Sequence, residues 1–249
     1  MTYDKNWDYS TQAEFYKYRP NYPIKLIEMI MDYMSLKDSD IIADIGAGTG
    51  NLTLLLAQCK GANIIAIEPN KNMMDIGLER TESVNNVKWV KATGTKTGLA
   101  SSSVDLVTFG SSFNVLDRHE ALKEAHRVLK PGGYFCCMWN HRDLNDKIQT
   151  KAEEIICSVI PGYTRGVRRE DQRAVIEQSC MFKDIVYIEM DFEFKQTLES
   201  YINAWKSVKN KYWENNSEVF HVICNKFREE LPNEFDVKYT SRCWIAKRA

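Results

Sequence analysis

Residues 41–50 read IIADIGAGTG, and this stretch decides the fold. Its first five residues form a short apolar run broken only by Asp44, which is typical of a strand buried on both faces of a parallel sheet. Gly46, Gly48 and Gly50 then form a turn, and leucines at helical spacing follow from Leu52. A strand, a glycine turn and a helix in this order predict one unit of an α/β domain.

The same alternation continues on both sides of this unit. A helix follows Pro23, and later helices begin after the predicted N-caps Asn70 and Asp117. We therefore predict an α/β fold with a Rossmann-like, mainly parallel seven-stranded sheet, helices on both faces and an antiparallel last strand. The remaining predicted strands span residues 64–67, 87–90, 104–109, 134–139, 182–194 and 235–246, and a helical stretch at 197–230 separates the last two.

Composition narrows the class of protein. The 249 residues include 44% hydrophobic side chains, and 33 basic against 34 acidic residues give a net charge of -1. A nucleic-acid binder held by phosphate contacts usually carries a basic excess, so we expect no nucleic-acid partner. Seven cysteines do not suggest a disulfide framework. Without a signal peptide or an apolar run of 18 residues, we expect a cytoplasmic protein with no membrane partner, as a monomer or a homodimer.

The glycine turn lies where an open parallel sheet binds ligands, at the carboxyl end of a strand. A dinucleotide fingerprint requires a glycine at position 51, which is Asn51 here, and the lysine of a phosphate-binding P-loop is also absent. Glu68 ends the next strand, where its carboxylate can accept hydrogen bonds from both ribose hydroxyls. The alternative for Glu68 is a solvated acid before the turn at Pro69. The glycine turn one strand earlier favours nucleoside recognition.

These motifs together resemble the class I S-adenosylmethionine-dependent methyltransferases, and more narrowly the type 11 methyltransferase domain family. Residues 44–50 match the first motif of that family, and Glu68 matches its acidic ribose ligand. Residues 103–107 (SVDLV) match its fourth-strand signature, and residues 128–133 (VLKPGG) match the turn before its fifth strand. The resemblance runs from about residue 40 to residue 139.

The resemblance implies S-adenosyl-L-methionine as the cofactor and S-adenosyl-L-homocysteine as the product. Relatives often carry an acid at position 93 to accept from the adenine amino group, and Thr93 departs from that pattern. The implied cofactor contacts are Asp44, Gly46, Ala47 and Gly48 for methionine, Glu68 for ribose, Pro69, Met73, Thr93, Gly94 and Thr95 for adenine, Ser111 and Ser112 after strand four, and Tyr16 and Arg19 from the N-terminus.

Methyl transfer from a sulfonium is an in-line displacement, so it needs no metal, and orientation of the acceptor supplies much of the acceleration. We expect the acceptor above strands four and five, where polar side chains cluster. His141 is the candidate base, and Arg142 is placed to hold an acidic substrate. The alternatives are an exposed loop histidine and an Arg142 paired with Asp143. The candidate substrate contacts are Phe113, Asn114, Trp139, Asn140 and Arg142.

We interpret residues 1–249 as one methyltransferase domain, with an N-terminal lid (1–38), a cofactor-binding core (39–139) and a helical insertion (195–232) that serves as a substrate cap. The predicted function is methyl transfer to a small-molecule acceptor. Three alternatives stay open, namely an NAD-dependent oxidoreductase, an RNA methyltransferase and a non-catalytic cofactor-sensing module.

Overall fold

A seven-stranded sheet organises the protein in the computed structural model, which describes residues 8–59, 61–164, 170–215 and 217–249. The strands are β1 (Ile41–Ile45), β2 (Asn63–Ile67), β3 (Val87–Val90), β4 (Val104–Gly110), β5 (Leu129–Arg142), β6 (Phe182–Thr197) and β7 (Glu234–Arg248). The helices are α1 (Ile24–Tyr33), α2 (Asn51–Gln58), α3 (Lys71–Arg80), α4 (Arg118–Val128), α5 (Lys147–Val159), α6 (Arg173–Gln178), α7 (Leu198–Lys206) and α8 (Glu218–Glu230), with 3-10 helices at Ala13–Tyr18 and Phe113–Val115.

The strand order is β3-β2-β1-β4-β5-β7-β6, with β1 to β5 parallel and β7 antiparallel to both of its neighbours. This arrangement confirms the predicted fold class. The chain moves from β1 towards one edge through β2 and β3, and then resumes on the other side of β1 with β4. Strand order therefore reverses between β1 and β4, and the glycine turn after β1 lies at the crevice that this reversal opens.

The two faces of the sheet pack different helices. Cys136 is fully buried in the layer with Ile30 of α1 and Leu56 of α2. Its neighbour Cys137 is fully buried in the opposite layer with Leu122 of α4. The side chains of successive strand residues alternate between faces, so these two neighbouring thiols point to opposite sides of the sheet.

A third apolar layer forms beyond the sheet, between α5, α7, α8 and the far ends of β6 and β7. It includes Ile156, Tyr201 and Phe227, all buried. The two helices α7 and α8 lie within the cap segment, residues 195–232. Helical spacing does not continue across that whole segment as predicted, because α7 ends at Lys206. No helix in the described ranges is both long and apolar enough to cross a membrane.

Candidate cofactor and acceptor site

The glycine turn needs glycine at two positions for definite reasons. Gly46 and Gly48 have φ angles of 67° and 59°, a left-handed conformation that side chains disfavour. A Cβ atom on Gly46 would also lie 2.5 Å from the Cβ of Ser112. The N–H groups of Gly46 and Ala47 donate to the carbonyl of Ile67 at 2.8 and 3.0 Å, which holds the turn against the end of β2.

Glu68 lies directly against this turn. Its carboxylate accepts from the backbone N–H groups of Gly48 and Asn70, both at 2.9 Å. The residue is 6% exposed, and burial raises the pKa of its carboxyl from 4.5 to about 6. Two carboxylate oxygens offer about four lone-pair sites, so two remain for other donors. The arrangement suits a pair of ligand hydroxyls.

Asp44 is the second buried carboxylate, at the carboxyl end of β1. Its two oxygens accept from the hydroxyls of Thr53 at 2.6 Å and Thr108 at 2.9 Å. Burial raises the pKa of Asp44 from 3.8 to about 6, in opposition to those two hydrogen bonds. A buried carboxylate beside an open cavity suits a positively charged ligand group.

A cavity of about 990 Å³ opens from the glycine turn towards the cap segment. It is bounded by the N-terminal lid on one side and by the ends of β4 and β5 on another. The predicted site residues that line it are Tyr16, Arg19, Asp44, Gly46, Ala47, Gly48, Ser111, Asn140, His141 and Arg142.

Other predicted site residues lie outside this lining. Beside Glu68, the Asn70 amide donates to Asp8 Oδ1 and Ser10 Oγ at 2.9 Å each, so the predicted lid segment packs next to this carboxylate. Gly94 is packed against Ile45 and Leu116, so that an added Cβ would lie within 2.8 Å of both side chains. The residues away from the cavity are Glu68, Pro69, Met73, Thr93, Gly94, Thr95, Ser112, Phe113, Asn114 and Trp139.

On the acceptor side, three predicted contacts are placed elsewhere. Phe113 is fully buried, with its ring 5.3 Å from that of Phe109 in the core. The indole of Trp139 donates to Asn114 Oδ1 at 3.0 Å and packs edge-on against the Trp244 ring. Those contacts use the face of the sheet opposite to α1 and α2.

Asn140 and Arg142 do face the cavity, and each has a defined partner. The Asn140 amide donates to the carbonyls of Pro20 and Asn21, at 3.0 and 3.2 Å, so it ties the lid to β5. The guanidinium of Arg142 lies 3.7 Å above the ring of Trp205, in a cation–π contact. His141 lines the same wall.

The cavity also has walls that the sequence analysis did not assign to the site. Tyr22 hydrogen-bonds through its hydroxyl to Ser111 Oγ at 2.9 Å, and burial raises its pKa above the ordinary range. Aromatic rings close the far end, at Tyr163, Trp205 and Trp213. The only sequence signal for Trp205 and Trp213 is the density of aromatic and amide side chains in residues 201–215, which also fits plain core packing. No group of three metal-ligating side chains occurs within the described ranges.

Strand order, the glycine turn and the acid after β2 define the class: this is the Rossmann-like fold of class I methyltransferases. The YcgJ protein of Bacillus subtilis shares the fold, with a TM-score of 0.56 and 13% identity over 88% of this chain and 96% of that one. The phosphoethanolamine N-methyltransferase 2 of Haemonchus contortus, solved with phosphomonomethylethanolamine and S-adenosylhomocysteine, gives a TM-score of 0.57 and 14% identity over 96% and 57%.

The family follows from the sequence of the core. Residues 43–137 match the type 11 family described as "Methyltransferase domain", and this match confirms the resemblance to the class I methyltransferases. An uncharacterised methyltransferase of Schizosaccharomyces pombe is 34% identical over 131 residues, which cover 53% of this chain and 51% of that protein. The chain thus spans about half the length of the curated relatives it matches.

Proposed function

We propose that the protein transfers a methyl group from S-adenosyl-L-methionine to a small-molecule acceptor by in-line displacement. The observation that carries the proposal is the continuity of one cavity. It joins the glycine turn at Gly46 and Gly48 to a polar and aromatic wall at His141, Arg142 and Trp205. The methionine half of the cofactor and an acceptor can therefore share this cavity.

The methionine half of the cofactor fits the residues as they stand. Asp44 is suited to the cofactor's ammonium group, and the glycine turn leaves room for the methionine backbone beside it. Tyr16 and Arg19 bring the lid over the same end, where the Arg19 guanidinium stacks 4.0 Å from the Tyr16 ring. The bound cofactor supplies a methyl group that is already activated on a sulfonium.

Glu68 is suited to bind the nucleoside half of the cofactor, once the lid segment moves aside. The carboxylate is held in place by the two N–H groups described above and retains lone pairs for the ribose hydroxyls. Asp8 and Ser10 contact Asn70 beside it, so the lid segment must leave this position for the nucleoside to reach Glu68. Closing again over the bound cofactor would exclude water from the reacting groups.

At the acceptor end, positioning is the main task of the protein. Well-oriented reactants can gain up to roughly 7–11 kcal/mol over the free reaction. The wall at Arg142 and Trp205 supplies a cation and an apolar ring to orient the acceptor. His141 is the candidate base for an acceptor that must lose a proton. The small ligand in the Haemonchus enzyme supports an acceptor of metabolite size.

Calorimetric titration with S-adenosylhomocysteine tests the cofactor, with NADH as the matched control. We expect saturable binding of the first and none of the second, whereas the reverse would favour an NAD-dependent oxidoreductase. A labelled-methyl assay against a metabolite library and against total RNA then tests the acceptor. Label in RNA alone would contradict the small-molecule assignment. Cofactor binding with no transfer to either would favour a sensing module.

A further inference from the structure

The far wall of the cavity is a rigid assembly of rings around one cation. Trp205 and Trp213 are 2% and 8% exposed, and their ring centroids lie 6.1 Å apart. Tyr163 stacks on Trp213 at 6.0 Å and 27°. These three rings form a row with Trp205 at one end. The guanidinium of Arg142 lies 3.7 Å from the centroid of the Trp205 ring. The guanidinium is therefore stacked at the end of this row of rings.

The charge of the lining favours anions. Among the described residues it contains four basic side chains, Arg19, Arg142, Lys209 and Lys211, and two acidic ones, Asp44 and Glu153. Asp44 lies at the glycine turn and is engaged by two threonine hydroxyls. The lining as a whole therefore carries two more basic than acidic side chains, whereas the net charge of the chain is -1.

Three hydrogen-bond donors in this wall lack an acceptor among the described residues, namely Trp205 Nε1, Asn210 Nδ2 and Trp213 Nε1. All three atoms are buried. Asn210 Oδ1 accepts from the N–H groups of Tyr212 and Trp213 at 2.9 and 3.2 Å, which fixes the amide with its nitrogen on the other side. Asn210 and Trp213 line the cavity, and what each requires is an oxygen.

We propose that this wall binds an oxyanion of the methyl acceptor, a carboxylate or a phosphate. Arg142 supplies the charge and a two-pronged donor surface, and Asn210 and Trp213 supply neutral donors in the same lining. An oxygen that enters between them gives each buried N–H the acceptor it lacks. The inference rests on the proposed methyl transfer and names the class of its acceptor.

The test follows the indole N–H signal of Trp213 by NMR in protein labelled with ¹⁵N-tryptophan and saturated with S-adenosylhomocysteine. The signal is assigned by its loss in Trp213→Phe. The probes are citrate and inorganic phosphate, with uncharged trimethyl citrate as the control. We expect a saturable shift with at least one anion and none with the ester. A shift that the ester reproduces, or no saturable shift with either anion, would overturn the proposal.

Two variants locate the binding. Asn210→Asp keeps the oxygen that holds the loop but places a carboxylate where the amide nitrogen was, and Arg142→Gln removes the cation. Each should weaken anion binding by about tenfold or more, the usual effect of losing a hydrogen bond to a charged group. Lys123→Gln on exposed α4 makes the same change in net charge and should have no effect. Wild-type anion affinity in both wall variants would place the anion elsewhere.

The cofactor and the anion can fail separately. If the protein binds no S-adenosylhomocysteine but the Trp213 signal still responds to anions, the anion site stands and the methyltransferase proposal falls. If S-adenosylhomocysteine binds and anions have no advantage over the ester, methyl transfer stands and the acceptor class assigned here is wrong. A preference between citrate and phosphate identifies the type of oxyanion.

Discussion

Replacing Asp44 by asparagine should raise the free energy of unfolding at pH 8 by about 1–3 kcal/mol. The carboxylate is fully buried, and burial raises its pKa from 3.8 to about 6. One pKa unit corresponds to about 1.4 kcal/mol, so ionisation in the folded protein carries a penalty of roughly 3 kcal/mol. Asparagine has nearly the same shape and no charge. Imperfect bonding to Thr53 and Thr108 offsets about 1 kcal/mol of the gain.

The sign of the pH dependence follows from the raised pKa. In the unfolded chain Asp44 ionises near pH 4, whereas in the folded protein it stays protonated until about pH 6. The free energy of unfolding of the wild type should therefore fall as the pH rises from about 4 to about 6, and then level off. The pKa of Glu68 is also raised to about 6, mainly by burial, so Glu68 adds a slope of the same sign in both proteins, which is slightly smaller in the variant because the Asp44 charge contributes to that raised pKa. Only the difference between wild type and variant reports on Asp44.

Urea unfolding followed by tryptophan fluorescence at several pH values measures this difference. Asp105→Asn is the matched control on β4, because Asp105 accepts from the Ile41 N–H at 2.9 Å and pairs with Lys130 at 2.7 Å. The control should be no more stable than the wild type. If Asp44→Asn is also no more stable at pH 8, and its slope between pH 4 and 6 matches the wild type, the buried charge is not penalised and the reasoning is refuted.

Glu68→Ala should weaken S-adenosylhomocysteine binding by about ten- to a hundredfold, the effect expected when hydrogen bonds to a charged group are lost. The control Glu79→Ala, at an exposed position, should bind like the wild type. Equal affinities of the wild type and Glu68→Ala by calorimetry would remove Glu68 from the site. Gly77→Ala should destabilise the protein by about 1–3 kcal/mol, because the added Cβ would overlap the Trp89 ring. An unchanged urea midpoint would show that the ring moves aside. His141→Ala should lower turnover and leave S-adenosylhomocysteine affinity near that of the wild type. A parallel loss of affinity would assign His141 to the cofactor instead.

The strand, the glycine turn and the acid after the next strand were predictable because their signals are local. A buried strand, a glycine turn and an acid one strand later lie within 28 residues, from Ile41 to Glu68, and each reflects a requirement of the backbone at that point. The fold class follows from the same alternation repeated along the chain. Sequence spacing also placed Cys136 and Cys137 on opposite faces. The same alternation puts the side chains of Trp139 and Asn140 on opposite faces of the sheet, which conflicts with the prediction that both contact one acceptor.

The far wall was difficult to predict because a residue distant in sequence contacts the end of α7. A continuous helix over the predicted stretch 197–230 would place Tyr201, Trp205, Val208 and Tyr212 on one helix face. The helix stops at Lys206, and Arg19 takes up both the hydroxyl and the carbonyl of Ser207, at 2.8 and 2.5 Å. These two residues are 188 positions apart. No local pattern encodes such a partner, so the loop that carries Asn210 and Trp213 could not be derived from spacing.

The two ends of the segment between β6 and β7 lie next to each other. Strand pairing runs to Thr197 opposite Glu234, and the Leu198 N–H donates to the Asn233 carbonyl at 2.8 Å. A segment whose ends already touch can be exchanged for another of different length without altering strand register, because the entropy of closing the loop depends only weakly on length. In the proposed enzyme, replacement of this one segment could therefore change the choice of acceptor. The part of the domain that binds the cofactor would stay the same.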